Sequence, residues 1–192
     1  MTNPRYHFIL GLILAIVSAV CLIVAQKIFS PPAAVSYSSG IEEFKVSGVP
    51  AFSLPEFKNG SLAQSYALTN SKSKISIINF WASWCAPCVE EYSSLVSLAN
   101  KFTYPGDLEV IAISVDQDLK GLNNFLLKNN KPKFSNFKIL VDNQSKVAEK
   151  FGTKKIPETY IIDVNSKLLM KVIDKQNWLS RDFLAYLESK MK

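Results

Sequence analysis

"KISIINFWASWCAPCVEEYSSL", residues 74 to 95, runs from an apolar stretch into two cysteines separated by two residues. Ile75, Ile77, Ile78 and Phe80 make residues 74–82 a buried strand. Tyr92, Leu95, Val96 and Ala99 then recur at helical spacing, which predicts a helix over Glu90 to Phe102. Cys85 and Cys88 therefore stand just past a strand, at the mouth of a helix. Pro87 suits the first turn, where its missing N–H costs nothing. At a helix start, Cys85 faces unpaired backbone amides and the positive end of the helix dipole. Both favour the thiolate, which is the nucleophilic form of cysteine. Cys88 follows one turn later, close enough to close a small disulfide ring. This is a site suited to exchanging disulfides.

Other uses of the pair fit less well. A zinc or iron site needs about four ligands, and one CxxC supplies two. The third cysteine is Cys21 and the only histidine is His7, both in the N-terminal segment. A c-type haem attachment needs histidine after the second cysteine, where Val89 stands. A structural bridge across two residues restrains little of the unfolded chain. A peroxidatic site needs a different loop around a single cysteine.

Periodicity elsewhere places the pair in an α/β chain. "AFSLPEFKNGSLA" alternates around Asn59-Gly60, a hairpin signal. "LEVIAISVD", 108–116, is an apolar strand, followed by a helix over Leu119 to Lys128. "FKILVD" is a short strand and Gln144 to Phe151 a short helix ending at Gly152. "ETYIIDVNSKLLMKVI" reads as two strands joined at Asn165-Ser166, and Trp178 to Lys190 as an amphipathic closing helix. Strands alternating with helices and then a terminal hairpin predict a mixed sheet.

The chain has 192 residues, of which 48% are hydrophobic, enough to build one core without staples. Its net charge of +6 comes from scattered lysines, among them Lys72, Lys74, Lys101, Lys120, Lys128, Lys146 and Lys171. These read as a solvated basic surface; no arginine-rich tract or interleaved aromatic stripe supports nucleic-acid binding. The N-terminus is different in kind. "FILGLILAIVSAVCLIVA", residues 8 to 25, carries no charge, and as a helix it would span about 27 Å, near the thickness of a bilayer's hydrocarbon core. Arg5 before it favours an N-terminus on the inside. Cleavage as a signal peptide is the rival reading, but the best small-residue site, Ile23-Val24-Ala25, is poor. Cys21 fits as a small apolar residue of that helix. The expected organisation is a membrane anchor over 1–29, a Pro/Ser/Gly linker over 30–48 and a globular domain over 49–192.

"NFWASWCAPC" resembles the active site of the thioredoxin superfamily. The wider pattern, from "VPAFSLPEF" to "DNQSKVAEKFGTKKIPETYIIDVNSKLL", is similar to the membrane-anchored TlpA/ResA/CcmG group of extracytoplasmic thiol-disulfide proteins. The resemblance covers roughly residues 49 to 190. It implies a thioredoxin-like fold: a mixed central sheet flanked by helices, an N-terminal hairpin and a helical insert around 118–130, preceded by one transmembrane helix.

The resemblance also implies roles. Cys85 matches the exposed attacking cysteine and Cys88 the resolving one, with a redox-active disulfide between them. Pro157 matches the superfamily's cis-proline, which packs opposite the disulfide. Ile156 would offer backbone groups to an extended client, with Trp84, Ala86 and Pro87 completing the client-binding surface. Glu158 matches an acid beside that proline in the cytochrome-maturation branch, and Glu91 an acid near the cysteines in the ResA branch. Either carboxylate could exchange a proton with Cys88. Two positions depart from the pattern. Ser93 stands where many relatives have proline, and the buried aspartate of thioredoxin has no clear match, Asn79 being the nearest polar residue.

The implied activity is that of an extracytoplasmic protein-disulfide reductase without cofactor or metal. It would act on client disulfides, with apocytochrome c favoured, and be recharged by a transmembrane thiol electron donor. Its place would be the cytoplasmic (inner) membrane, single-pass, with the catalytic domain on the periplasmic side. A disulfide-forming oxidase of the same fold and a copper or haem chaperone that uses the cysteines as ligands are the alternatives. Direction depends on reduction potential, which CAPC alone does not set.

Overall fold

A computed structural model describes residues 14–22, 48–129, 132 and 134–192. The chain divides into two compact units, Met1–Ser36 and Tyr37–Lys192. In the first, residues 14–22 are helical and expose Leu14, Ile16, Val17, Val20 and Leu22. Among the described residues no helix is long and apolar enough to cross a membrane. Most of the expected anchor, and the expected linker apart from Gly48, lie outside the described residues.

The second unit is built on one sheet. Its strands are β1 (Ser53–Lys58), β2 (Ser61–Ala67), β3 (Ile75–Trp81), β4 (Leu108–Ser114), β5 (Phe137–Val141), β6 (Glu158–Asp163) and β7 (Leu168–Ile173). Their order across the sheet is β2-β1-β5-β4-β3-β6-β7. Parallel pairing is confined to the centre, β3 with β4 and β4 with β5; every other pair is antiparallel. Among the described residues of this unit, four α-helices accompany them: α1 (Ala86–Lys101), α2 (Leu119–Lys128), α3 (Lys146–Lys150) and α4 (Arg181–Lys190). The expected hairpin, mixed sheet and helical insert are all present.

Local chemistry explains these elements. Asn59 and Gly60 both take positive φ, at 54° and 82°. That is the turn that matches strand twist in a two-residue hairpin, and Asn-Gly adopts it at little cost. The central strands β3 and β4 are buried along their whole length, so each reads as a continuous apolar run rather than an alternation. α3 begins later than its periodicity suggests. Ser145 has φ 54° and gives no side-chain cap; instead Asp142 Oδ2 accepts from Val147 N and Ala148 N, both at 2.9 Å.

Strand alternation sorts the core onto two faces. Ile75, Ile77 and Trp81 of β3 pack in one cluster with Cys88, Tyr92 and Leu95 of α1 and Phe183 and Leu187 of α4. Ile78 and Phe80 point the other way, into a cluster with Phe52, Phe151, Tyr160 and Ile162. Each fully buried side chain of this size contributes roughly 1.5–3 kcal/mol over leaving it in water. The same alternation decides which polar residues can meet the cysteines.

Candidate active site

Cys85 is the N-cap of α1, with extended backbone at φ −84° and ψ 107°. The helix starts at Ala86, four residues before the apolar periodicity becomes visible, because its first turn is built from Ala86, Pro87 and the cysteines rather than from core side chains. Cys85 Sγ and Cys88 Sγ are joined in a disulfide. Cys88 N donates to Cys85 Sγ at 3.3 Å, so one of the helix's unpaired amides lies against the sulfur. Such a contact favours negative charge there once the disulfide is opened. Cys85, expected to be exposed, is only 6% exposed with its sulfur in the disulfide, and Cys88 is 1% exposed, whereas Trp84 beside the pair is 69% exposed.

The Ile156–Pro157 peptide bond is cis. Cys85 Sγ lies 3.8 Å from Ile156 O, which sets the cysteines and the Ile156–Pro157 segment face to face. Ala86 is exposed and Pro87 half-buried at the helix mouth; Ile156 is half-buried and Pro157 buried. The residues expected to bind a client thus come together around the disulfide, from two segments about seventy residues apart in the chain.

The two expected carboxylates fall on opposite faces of the sheet. Glu91 sits on α1 one turn after Cys88, and both are buried on the side that packs against β3. Its Oε1 accepts from Asn79 Nδ2 at 2.9 Å. Its Oε2 accepts from Gln176 N at 2.9 Å and from Trp178 Nε1 at 3.2 Å. Asn79 gives its second hydrogen to Thr159 Oγ1 at 2.9 Å. Burial pushes the Glu91 carboxyl up to about 7, helped by the charge of Asp174 and opposed by the donors from Gln176, Asn79 and Trp178. A cleft of about 310 Å³, lined by Glu90, Glu91, Ser94, Lys175, Gln176 and Asn177, opens onto it.

Glu158 is different. It pairs across the ladder with Phe80 and so belongs to the opposite face from Asn79 and Thr159. Glu158 Oε1 lies 2.9 Å from Lys171 Nζ, with both side chains 3% exposed. Tyr160 OH donates to Glu158 Oε2 at 3.1 Å, and Lys171 Nζ stands 5.2 Å from the centre of the Tyr160 ring. Lys171 therefore departs from the expected solvated surface: it is a buried ion-pair partner, held by a carboxylate and an aromatic ring.

Four participants were not anticipated. Trp178 was expected to open the last helix, but α4 begins at Arg181 and Trp178 is fully buried with its N–H on Glu91. Thr159 and Gln176 carry no signal in the sequence beyond lying next to Glu158 and Trp178. Lys171 could have been suspected, since a lysine inside "LLMKVI" interrupts an apolar run. Among the described residues, no cluster of three or more His, Cys, Asp or Glu could hold a metal ion.

Comparison with known proteins agrees with this geometry. ResA of Bacillus subtilis (strain 168), a thiol-disulfide oxidoreductase, is 24% identical over 173 residues, covering 90% of this chain and 87% of that protein. The thiol:disulfide interchange protein HelX of Rhodobacter capsulatus is 27% identical over 99 residues, 52% of each chain. A Chlorobium tepidum structure assigned as thiol:disulfide interchange protein DsbE superimposes with a TM-score of 0.67 at 20% identity, covering 79% of this chain and all of that one. That likeness makes the fold thioredoxin-like. The model of the AhpC/TSA family matches residues 47–170, well over half of the sequence, and the chain belongs to that family.

Proposed function

We propose that the protein is a membrane-anchored, extracytoplasmic thiol-disulfide oxidoreductase that reduces client disulfides. The observation that carries the reading is the Cys85–Cys88 disulfide at the start of α1, facing the cis Ile156–Pro157 segment. Similarity to ResA and HelX supports the same chemistry.

In the reduced form, the Cys85 thiolate attacks one sulfur of a client disulfide and expels the other as a thiolate. A mixed disulfide results. Cys88 then gives up its proton and attacks Cys85 Sγ. The client leaves with its second thiol, and the protein keeps the Cys85–Cys88 disulfide. Two electrons have passed to the client. Glu91 takes the proton from Cys88, being on the same helix face one turn away and titrating near neutrality. The cleft that reaches Glu91 supplies its exchange with bulk water. Trp84, exposed beside the disulfide, and the backbone of Ile156 receive the client chain.

Each turnover leaves the protein oxidised, so a dithiol donor must restore it. With the domain outside the cytoplasmic membrane, that donor is a transmembrane thiol carrier. The uncharged run 8–25 and the exposed apolar side chains of residues 14–22 support the anchor. "IPETYIID" favours apocytochrome c thiols as the client.

The test uses the full chain in detergent, reduced and freed of excess reductant. It is mixed with an oxidised peptide carrying the CxxCH pair of a cytochrome c and with an unrelated disulfide peptide. Loss of protein thiols should match the client thiols formed, with faster reduction of the CxxCH peptide. Equal rates on both peptides would remove the client preference, and no thiol transfer would refute the activity.

A further inference from the structure

Asp116 is 1% exposed and sits two residues past the end of β4. Its carboxylate accepts three hydrogen bonds from neutral donors. Oδ2 accepts from Ser83 N at 2.9 Å and from Ser114 Oγ at 2.7 Å. Oδ1 accepts from Ser83 Oγ at 2.6 Å. Among the described residues no lysine or arginine forms a salt bridge with it. An ionised carboxylate accepts only, and these donors suit it.

The position of Ser83 gives this carboxylate its consequence. Cys85 N donates to Ala82 O at 3.2 Å, closing a turn from Ala82 to Cys85 in which Ser83 is the second residue. Val115 N donates to Trp81 O at 2.9 Å, continuing the β3–β4 ladder up to this turn. Two of the three donors to Asp116 thus come from the turn that delivers Cys85 to the helix start. Asp116 thus sets a carboxylate on the residue two before Cys85, and a negative charge there opposes the field of the helix-start amide, Cys88 N, that lies against Cys85 Sγ.

We propose that Asp116 is a positioning residue for thiol-disulfide exchange, fixing the turn that presents Cys85 and biasing the cysteine pair towards the disulfide through its uncompensated charge. The proposal rests on the exchange reading given above. Direction follows from the charge. A negative group disfavours the Cys85 thiolate, which makes the reduced state less stable relative to the disulfide. Charged side chains linked to the first turns of α1 include Glu90 and Glu91 on that helix, Asp174 and Lys175 after β7 and, through Asp174, Lys155. Glu90 is paired with Lys175 and Asp174 with Lys155, while Glu91 is satisfied by Asn79, Gln176 and Trp178.

The full chain, in detergent, is equilibrated against reduced and oxidised dithiothreitol for the wild type, Asp116→Asn and Ser83→Ala. Asp116→Asn removes the charge and nearly keeps the shape. It should shift the equilibrium roughly tenfold towards the dithiol, a rise of about 30 mV. Ser83→Ala keeps the charge and removes one donor from it. Ser83 is only half-buried, so this variant folds even if Asp116→Asn does not, and its equilibrium should move the opposite way, two- to threefold towards the disulfide, or about 9–14 mV lower. A residue needed only for folding would lower the melting temperature and leave both equilibria at the wild-type value, and that result overturns the proposal. A wild type that exchanges no disulfide overturns the exchange reading and this inference with it. An active wild type with both variants unchanged overturns the inference alone.

Discussion

Replacing Glu91 by glutamine should change how stability depends on pH, with a sign and size that follow from the structure. Glu91 ionises with difficulty because burial raises its carboxyl from 4.5 to about 7. Between those values the folded chain holds a proton that the unfolded chain has released. Stability contributed by this group is complete below pH 4.5, declines as pH rises, and is gone above pH 7. The shift of about 2.5 units, at about 1.4 kcal/mol each, amounts to roughly 3 kcal/mol. Glutamine cannot ionise, so the variant lacks this decline. Urea unfolding of the oxidised unit Tyr37–Lys192 at pH 5 and pH 8 isolates the effect. Other titrating groups cancel when the two proteins are compared. The difference in stability, glutamine minus glutamate, should be about 2–3 kcal/mol more favourable at pH 8 than at pH 5. Parallel pH profiles would show that Glu91 does not titrate in this range and would remove it as the proton acceptor for Cys88.

The remaining predictions concern the cysteines, the buried ion pair and the anchor. Cys88→Ser should accumulate mixed disulfides with clients in cell extracts run without reductant, and Cys85→Ser should trap none; the reverse would exchange their roles. Glu158→Gln leaves the Lys171 ammonium buried without its carboxylate, at a cost of roughly 3–5 kcal/mol. Because Glu158 faces away from the disulfide, the alkylation rate of Cys85 against pH should be unchanged in that variant, and a displaced profile would tie Glu158 to the thiols. Cells making the full chain should retain it at full length in the membrane fraction, and recovery as a shortened soluble species would show cleavage instead of anchoring.

Much of the site could be read before the fold was known, for a physical reason. A cysteine pair at a helix start is encoded locally: an apolar strand, two cysteines and a proline within a few residues carry it. The sheet was legible too, since β3 and β4 are continuous apolar runs and Asn59-Gly60 admits few conformations. What stayed hidden depends on contacts between distant segments. Glu91 and Glu158 look equivalent as acids near a motif, and only the pairing of Glu158 with Phe80 across β6 and β3 separates their faces. Trp178 fits a helical period as well as α4 does, yet its indole N–H is drawn to Glu91, eighty-seven residues earlier. Lys171 counts as one surface lysine among many until its strand brings it beside Glu158.

The reduction potential of the wild-type Cys85–Cys88 pair tests the reductive function most directly. Equilibrating the full chain in detergent with glutathione or dithiothreitol buffers at pH 7, then trapping and weighing the alkylated species, gives that value. A pair that serves as a reductant holds its disulfide stably, so the potential should lie well below about −120 mV, the value of a strong disulfide-forming oxidant. A potential near about −120 mV would contradict the reductive assignment and make the protein a donor of disulfides.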